Sequence, residues 1–343
     1  MAKYSRGELS VIACDAGKKF AERIIQRLNK ISRAEDDEIN HRLKFVSEVH
    51  FPNGEVKVVI DENIRGDDIY LVQCIDDPLS EYSVNDNLMS TLTAIHAAYQ
   101  SDADHITAVL PQFPYSRQER RKTREAITAK LIARMLEEAG AQRVITLDIH
   151  AEAIQGFFHH AKLEDLHASG VLIDYLQTIM RIDPARLVVT GPDVGGAERA
   201  RHYSKVLGAH LAIVDKARDY SDISKIESMR LVGKVRDMDV LIVDDMIATG
   251  GTLINALRLL KNHGAKKIYV AISLPFFTGE CVDKLSKAYE EGLLDLVIGT
   301  DAVFHGKKFV DSTPWYNEIS IAGLFANVIY NINKKRSVSE LLK

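Results

Sequence analysis

Short apolar runs alternate with longer stretches of helical spacing along most of this chain. Residues 9–13, 69–73, 106–110, 144–147, 187–190, 211–214, 240–243 and 268–272 are brief and almost wholly apolar, the pattern of strands buried on both faces. Between them, apolar residues recur at helical spacing over 17–28, 85–99 and 128–138, from Ala197 onward, and from Leu253 to near Gly264. Gly140 and Gly264 stand where such helices stop. Alternating strands and helices predict parallel sheets flanked by helices. The series restarts in the second half, which predicts two similar α/β domains, residues 1–166 and 167–343, joined near 160–170. The tail is a candidate to return to the first domain. Residues 35–40 carry mostly charged and polar side chains and read as a solvated insertion, and the end from Lys334 as a fraying terminus.

Bulk properties narrow the picture. A chain of 343 residues exceeds what one core usually holds, which supports two domains. With 46% hydrophobic and 27% charged residues it has an ordinary globular composition. A formal net charge of -4 leaves no general footprint for nucleic acid. Cys14, Cys74 and Cys281 are too few and too scattered for a disulfide framework or a zinc pattern, and they fit a reducing compartment. No apolar stretch reaches membrane-spanning length, and the first residues lack a secretory apolar region, so the expectation is a cytoplasmic protein.

The strongest chemical signal is DVLIVDDMIATGGTL, residues 239–253. A buried strand, Asp244 and Asp245, the loop Ala248-Thr249-Gly250-Gly251-Thr252 and a helix start follow one another. Glycine lets the backbone approach closely, and N–H groups at the helix start face an anion. Two carboxylates would repel a phosphate, so they need hydroxyls or a divalent cation as partners. Together they point to a sugar phosphate, against the plainer reading of a tight turn. A second loop, residues 191–196, again joins a strand to a helix; Asp193, Gly195 and Gly196 could hold another anion and a cation, or simply make a turn. Two anion loops imply a substrate with phosphates at two points.

Three more segments carry candidate chemistry. FPYSRQERRKTR, residues 113–124, is strongly cationic and holds Arg117 and Gln118; it suits a polyphosphate bearing a base, or else is a solvated face. Asp148 and His150 follow a buried strand, where α/β enzymes place chemistry, and could hold a cation. Lys216 and Arg218 form a basic pair after the run at 211–214.

The stretch 244–252 resembles the 5-phosphoribosyl-1-pyrophosphate (PRPP) loop of type I phosphoribosyltransferases and of ribose-phosphate pyrophosphokinases. FPNGE, YSRQ and DIHAEAIQGFF are similar to segments of the pyrophosphokinases alone, and the resemblance spans roughly residues 8–330. It implies a kinase that moves the pyrophosphoryl group of ATP to ribose 5-phosphate with Mg2+, in a homohexamer assembled from dimers. By this resemblance Phe51 stacks on adenine supplied across a subunit boundary, and Asn53 and Glu55 bind its edge. Arg117 and Gln118 contact the nucleotide. His150, with Asp148 and Asp193, handles the metal, and Lys216 and Arg218 are the catalytic basic pair. Asp244, Asp245 and residues 248–252 hold ribose 5-phosphate. ADP and inorganic phosphate are the implied effectors, with Arg65 near their site. The chain departs from the family at Ala248, where an acidic residue is usual; at His159, also usually acidic; in a 118–124 loop about one residue short; and in the insertion near 33–41. A plain phosphoribosyltransferase and a non-catalytic regulatory homologue are the competing functions; the first gives Phe51, Arg117 and His150 no duty.

Overall fold

The computed structural model describes residues 6–37, 39–217 and 228–341. Two compact units emerge: one runs up to His167 and adds Asp301–Phe304 and Ser320 onward, and the other comprises Ala168–Thr300 and His305–Ile319.

The first unit begins with β1 (Leu9–Ala13), every residue of which is buried, and α1 (Lys18–Ala34). Phe20, Ala21, Ile24, Ile25 and Leu28 form the buried stripe of α1, at the spacing of one helical face. A hairpin follows, β2 (Val46–His50) and β3 (Val56–Ile60), paired antiparallel. Next come β4 (Asp68–Val72), α2 (Val84–Gln100), β5 (His105–Val109), α3 (Thr128–Ala139), β6 (Arg143–Leu147) and β7 (Lys162–Leu166). A capping box fixes the start of α2: the Ser83 hydroxyl accepts from the Asp86 N–H while the Asp86 carboxylate accepts from the Ser83 N–H. Gly140, at φ 118°, closes α3. The sheet order is β1-β4-β5-β6-β7, all parallel.

The second unit contains α4 (Ser169–Thr178), β8 (Leu187–Thr190), α5 (Ala197–Leu207), β9 (His210–Leu211), β10 (Ile213–Ala217), β11 (Ser228–Val232), β12 (Asp239–Ile247) and α6 (Gly251–Asn262). It continues through β13 (Ile268–Pro275), α7 (Cys281–Glu290), β14 (Leu296–Thr300), α8 (Lys307–Ser312) and β15 (Tyr316–Ile319). Its six-stranded sheet, in the order β15-β14-β13-β12-β8-β9, is parallel throughout. The last helix, α9 (Ala322–Asn333), belongs to the first unit, where it packs on α1. Phe325 meets Phe20 edge to face at 5.3 Å, and Asn333 donates to the buried Asp68 carboxylate at 3.0 Å.

Both sheets are parallel and helix-flanked; apart from the edge strands β7, β9 and β15, their strands are the near-continuous apolar runs that double coverage requires. Three local expectations need correction. The run 211–214 is broken at Ala212: β9 stays in the sheet, while β10 leaves it to pair antiparallel with β11. The strand expected over 240–243 continues through Asp244 and Asp245 to Ile247, because β13 pairs with it along that length. The helix expected from Leu253 starts two residues earlier, at Gly251. At the start of the tail, Lys334 pairs with Asp37 and Arg336 with Glu35, each at 2.8 Å, so the charged insertion and this stretch hold one another.

Candidate active site

Strand order reverses in the second unit between β8 and β12. From β8 the chain moves outward to β9; from β12 it moves the other way, through β13 and β14 to β15. In open parallel sheets, ligands bind beyond the carboxyl ends of the strands at such a reversal. Both anion-loop candidates lie there, since β8 and β12 are hydrogen-bonded neighbours.

The loop after β8 is tight. A Cβ at Gly191 would stand 2.8 Å from the Gly196 Cα, and one at Gly196 would stand 3.0 Å from the Gly191 Cα and 3.5 Å from the Val243 carbonyl oxygen. These two glycines let the turn close on itself and lie against β12 at Val243. Asp193 accepts the Gly195 N–H at 2.9 Å and is only half-buried, and Gly195 is exposed. After β12, Gly250 takes the left-handed conformation at φ 75° and leads into α6, whose first turn has no side-chain cap. Thr249 and Gly251 are exposed there, Ala248 and Thr252 half-buried. An uncapped helix start on an exposed glycine offers its N–H groups and the positive end of the helix dipole to an anion.

The acidic pair lies within β12, just ahead of the loop at 248–252. Asp245 is buried and Asp244 half-buried. The Asp244 carboxylate accepts the Asp245 N–H at 3.0 Å, and the Asp245 carboxylate accepts the Met246 N–H at 2.9 Å. Burial, and then the neighbouring Asp245, push the Asp244 carboxyl well above the usual carboxylate range. Arg199 opposes this: its guanidinium lies 3.5 Å from Asp244 and 3.9 Å from Asp245. Two carboxylates against one guanidinium leave an acidic site, suited to sugar hydroxyls or a cation. Sequence reasoning passed over Arg199. Its signal is its place three residues past Gly196, in the first turn of the helix that follows an anion loop.

The remaining candidates divide between the units. In the first, the FPNGE turn is the tip of the β2–β3 hairpin: the Phe51 N–H donates to the Glu55 carbonyl at 2.8 Å, Asn53 accepts the Glu55 N–H at 3.2 Å, and the Phe51 ring is 43% exposed. Arg117 and Gln118 lie exposed beyond β5, just after Tyr115, a non-glycine residue at φ 58°. Beyond β6, Asp148 is buried, holds φ 41° and meets the His167 Nδ1 at 3.0 Å, while His150 is exposed. Asp165, not anticipated from sequence, accepts the Ile149 N–H at 3.0 Å, and burial pushes its carboxyl up to about 7. Arg65 is exposed beside Asp102. In the second unit Lys216 lies on β10, opposite Met229 of β11, and Arg218 falls outside the described residues.

Known proteins align with this architecture. Residues 9–140 match the family model described as the N-terminal domain of ribose phosphate pyrophosphokinase, and residues 159–306 match the phosphoribosyl transferase domain. The ribose-phosphate pyrophosphokinase of Chlorobaculum tepidum is 40% identical over 293 residues, 85% of either chain. That of Vibrio parahaemolyticus is 37% identical over 337 residues, covering 97% of this chain and 99% of its own. The crystal structure of phosphoribosylpyrophosphate synthetase from Mycobacterium smegmatis superimposes with a TM-score of 0.82 at 30% identity, over 96% of this chain and 99% of that one. With two domain models in tandem, near-complete coverage of its relatives and the same fold throughout, the chain belongs to the ribose-phosphate pyrophosphokinase family.

Proposed function

We propose that this enzyme transfers the β,γ-pyrophosphoryl group of ATP to the 1-hydroxyl of ribose 5-phosphate, giving PRPP and AMP. The observation that carries the reading is the pair of loops flanking the strand reversal, with the Asp244–Asp245 pair between them. A ribose bearing phosphate on one side and pyrophosphate on the other needs that order of anion, hydroxyl and anion partners. The uncapped start of α6, with Thr249, Gly250, Gly251 and Thr252, receives the 5-phosphate. Asp244 and Asp245, steadied by Arg199, accept hydrogen bonds from the ribose hydroxyls. Residues 191–196 take the pyrophosphate.

The 1-hydroxyl oxygen attacks the β-phosphorus, the bond to the α-phosphate oxygen breaks, and the hydroxyl proton leaves as AMP departs. Such chemistry depends on alignment and charge neutralisation rather than covalent help. Phe51, Asn53, Glu55, Arg117 and Gln118 bind the nucleotide, and Lys216 and Arg218 offset charge developing toward AMP. Asp148 and His150 of the first unit and Asp193 of the second are each candidate ligands for Mg2+, by carboxylate oxygen or imidazole nitrogen, and Asp193 and His150 retain solvent-facing surface. When bound, the ion neutralises phosphate oxygens. ADP and phosphate as effectors, a hexameric assembly and a cytoplasmic location complete the reading; among the described residues no helix is long and apolar enough to cross a membrane.

One observation favours a second reading. Ala248 offers no hydrogen-bonding side chain where the family usually has a carboxylate, which fits a non-catalytic homologue. A direct assay separates the two. Purified chain with magnesium, ATP, ribose 5-phosphate and inorganic phosphate should yield AMP and PRPP in equal amounts. AMP-free mixtures at high protein concentration would overturn the enzymatic reading.

A further inference from the structure

At the root of the β2–β3 hairpin lies a second cluster, apart from every residue used above. Asp15 opens the turn between β1 and α1, and Glu48 and His50 stand two apart on β2, hence on one face of it. Their ligand atoms all lie within 4.8 Å of one another. Glu48 and His50 are sheltered, with side chains only 2% and 16% exposed. The His50 ring is stacked on Tyr82, centroids 3.6 Å apart and planes 10° from parallel, which fixes its direction. Its Nε2 is fully buried and makes no hydrogen bond.

We infer that Asp15, Glu48 and His50 form a binding site for a late first-row divalent cation such as Zn2+, distinct from the magnesium that serves the reaction. The Nε2 of His50 and the Oε2 of Glu48 are 3.4 Å apart without hydrogen-bond alignment. Two ligand atoms on a tetrahedral ion with bonds of about 2.0–2.1 Å stand roughly 3.4 Å apart. A buried imidazole nitrogen left unsatisfied is costly, and a metal satisfies it. One imidazole with two carboxylates is a donor set that zinc and its neighbours accept, whereas Mg2+ prefers six oxygens. Three protein ligands leave a fourth position for water. Lys18 contacts the exposed Asp15 carboxylate, a surface pairing that yields readily to a dipositive ion. The Glu48 carboxylate also accepts the Asp15 N–H, so its orientation is set before an ion arrives. The inference goes beyond the proposed reaction, yet it touches it: His50 precedes Phe51, so an ion here would brace the hairpin whose tip carries the adenine-side candidates.

The test uses the full chain, stripped with chelator and titrated with Co2+ under excess Mg2+. One equivalent should bind, with visible d–d absorption of tetrahedral intensity that Zn2+ abolishes. Loss of an outer partner of a metal ligand alone weakens binding about 10–100-fold. His50→Ala and Glu48→Gln should therefore weaken it by at least about a hundredfold. Asp15→Asn, an exposed substitution that spares the core, should also weaken it, and His150→Ala should leave the band unchanged. No stoichiometric binding would overturn the inference, as would a band that survives both His50→Ala and Asp15→Asn or vanishes in His150→Ala. None of these readings depends on catalytic activity, so failure here and failure of the proposed reaction are separable.

Discussion

Replacing Gly251 by alanine separates a phosphate seat from a plain turn. Gly251 is the first residue of α6, is exposed, and has nothing within 4 Å of where a Cβ would stand. No left-handed conformation demands glycine there, since the positive φ belongs to Gly250. Alanine therefore fits and favours the helix by at most about 0.5–1 kcal/mol. At roughly 2–4 °C per kcal/mol for a large domain, the unliganded protein should melt unchanged or up to about 4 °C higher. Activity should move the other way. A methyl group on the uncapped helix start crowds the incoming phosphate and costs it a charge-assisted hydrogen bond, about 1.5–3 kcal/mol. That corresponds to a rise in KM for ribose 5-phosphate of roughly 10- to 100-fold, with KM for ATP little changed. Differential scanning calorimetry and steady-state kinetics on one preparation supply both numbers. Gly250→Ala is the contrast: at φ 75°, with its Cβ 2.9 Å from the Cys281 sulfur, it should lose stability as well as activity. A Gly251→Ala enzyme that melts as expected and keeps its KM for ribose 5-phosphate within about twofold would refute the phosphate seat.

Four further outcomes follow from the same geometry. Asp244 holds its proton more tightly folded than unfolded, so its charge costs stability as pH rises through that window; Asp244→Asn should raise the melting temperature at neutral pH, lose the gain below the ordinary aspartate range, and abolish turnover. A variant no more stable than wild type at neutral pH, in thermal melts across pH, would contradict this. Arg199→Met should raise KM for ribose 5-phosphate about tenfold or more, because the acidic pair loses its counter-charge, and kinetics in which only the ATP terms change would count against it. Lys216→Ala should cut kcat roughly a hundredfold or more with the fold intact, and a variant within a few-fold of wild type removes Lys216 from the mechanism. Phe325→Ala, in a fully buried ring against Phe20, should destabilise by about 3–5 kcal/mol in denaturant titration, and a loss under about 1 kcal/mol would mean that α9 does not anchor on α1.

What was legible from the chain alone was local. Runs such as Leu9–Ala13 and Leu187–Thr190 are almost wholly apolar because parallel strands are covered on both faces, and that requirement is written nearly residue by residue. Ala197 as a helix start and Gly140 as a helix end follow from glycine and cap chemistry acting over a few positions. The glycine-threonine loop after an acidic pair was readable for the same reason. Tertiary structure decided whatever depends on partners distant in sequence. Only strand order makes β8 and β12 neighbours and so brings two loops some fifty residues apart to one reversal point. Pairing with β13 keeps Asp244 and Asp245 inside a strand, and the departure of β10 from the sheet breaks a run that looks continuous. Arg199 gains its meaning from the carboxylates it faces, and His50 from the Glu48 and Asp15 oxygens around it. Backbone periodicity acts over one or two turns, whereas strand order and side-chain convergence are set by the summed contacts of the whole fold, which no short stretch of sequence contains.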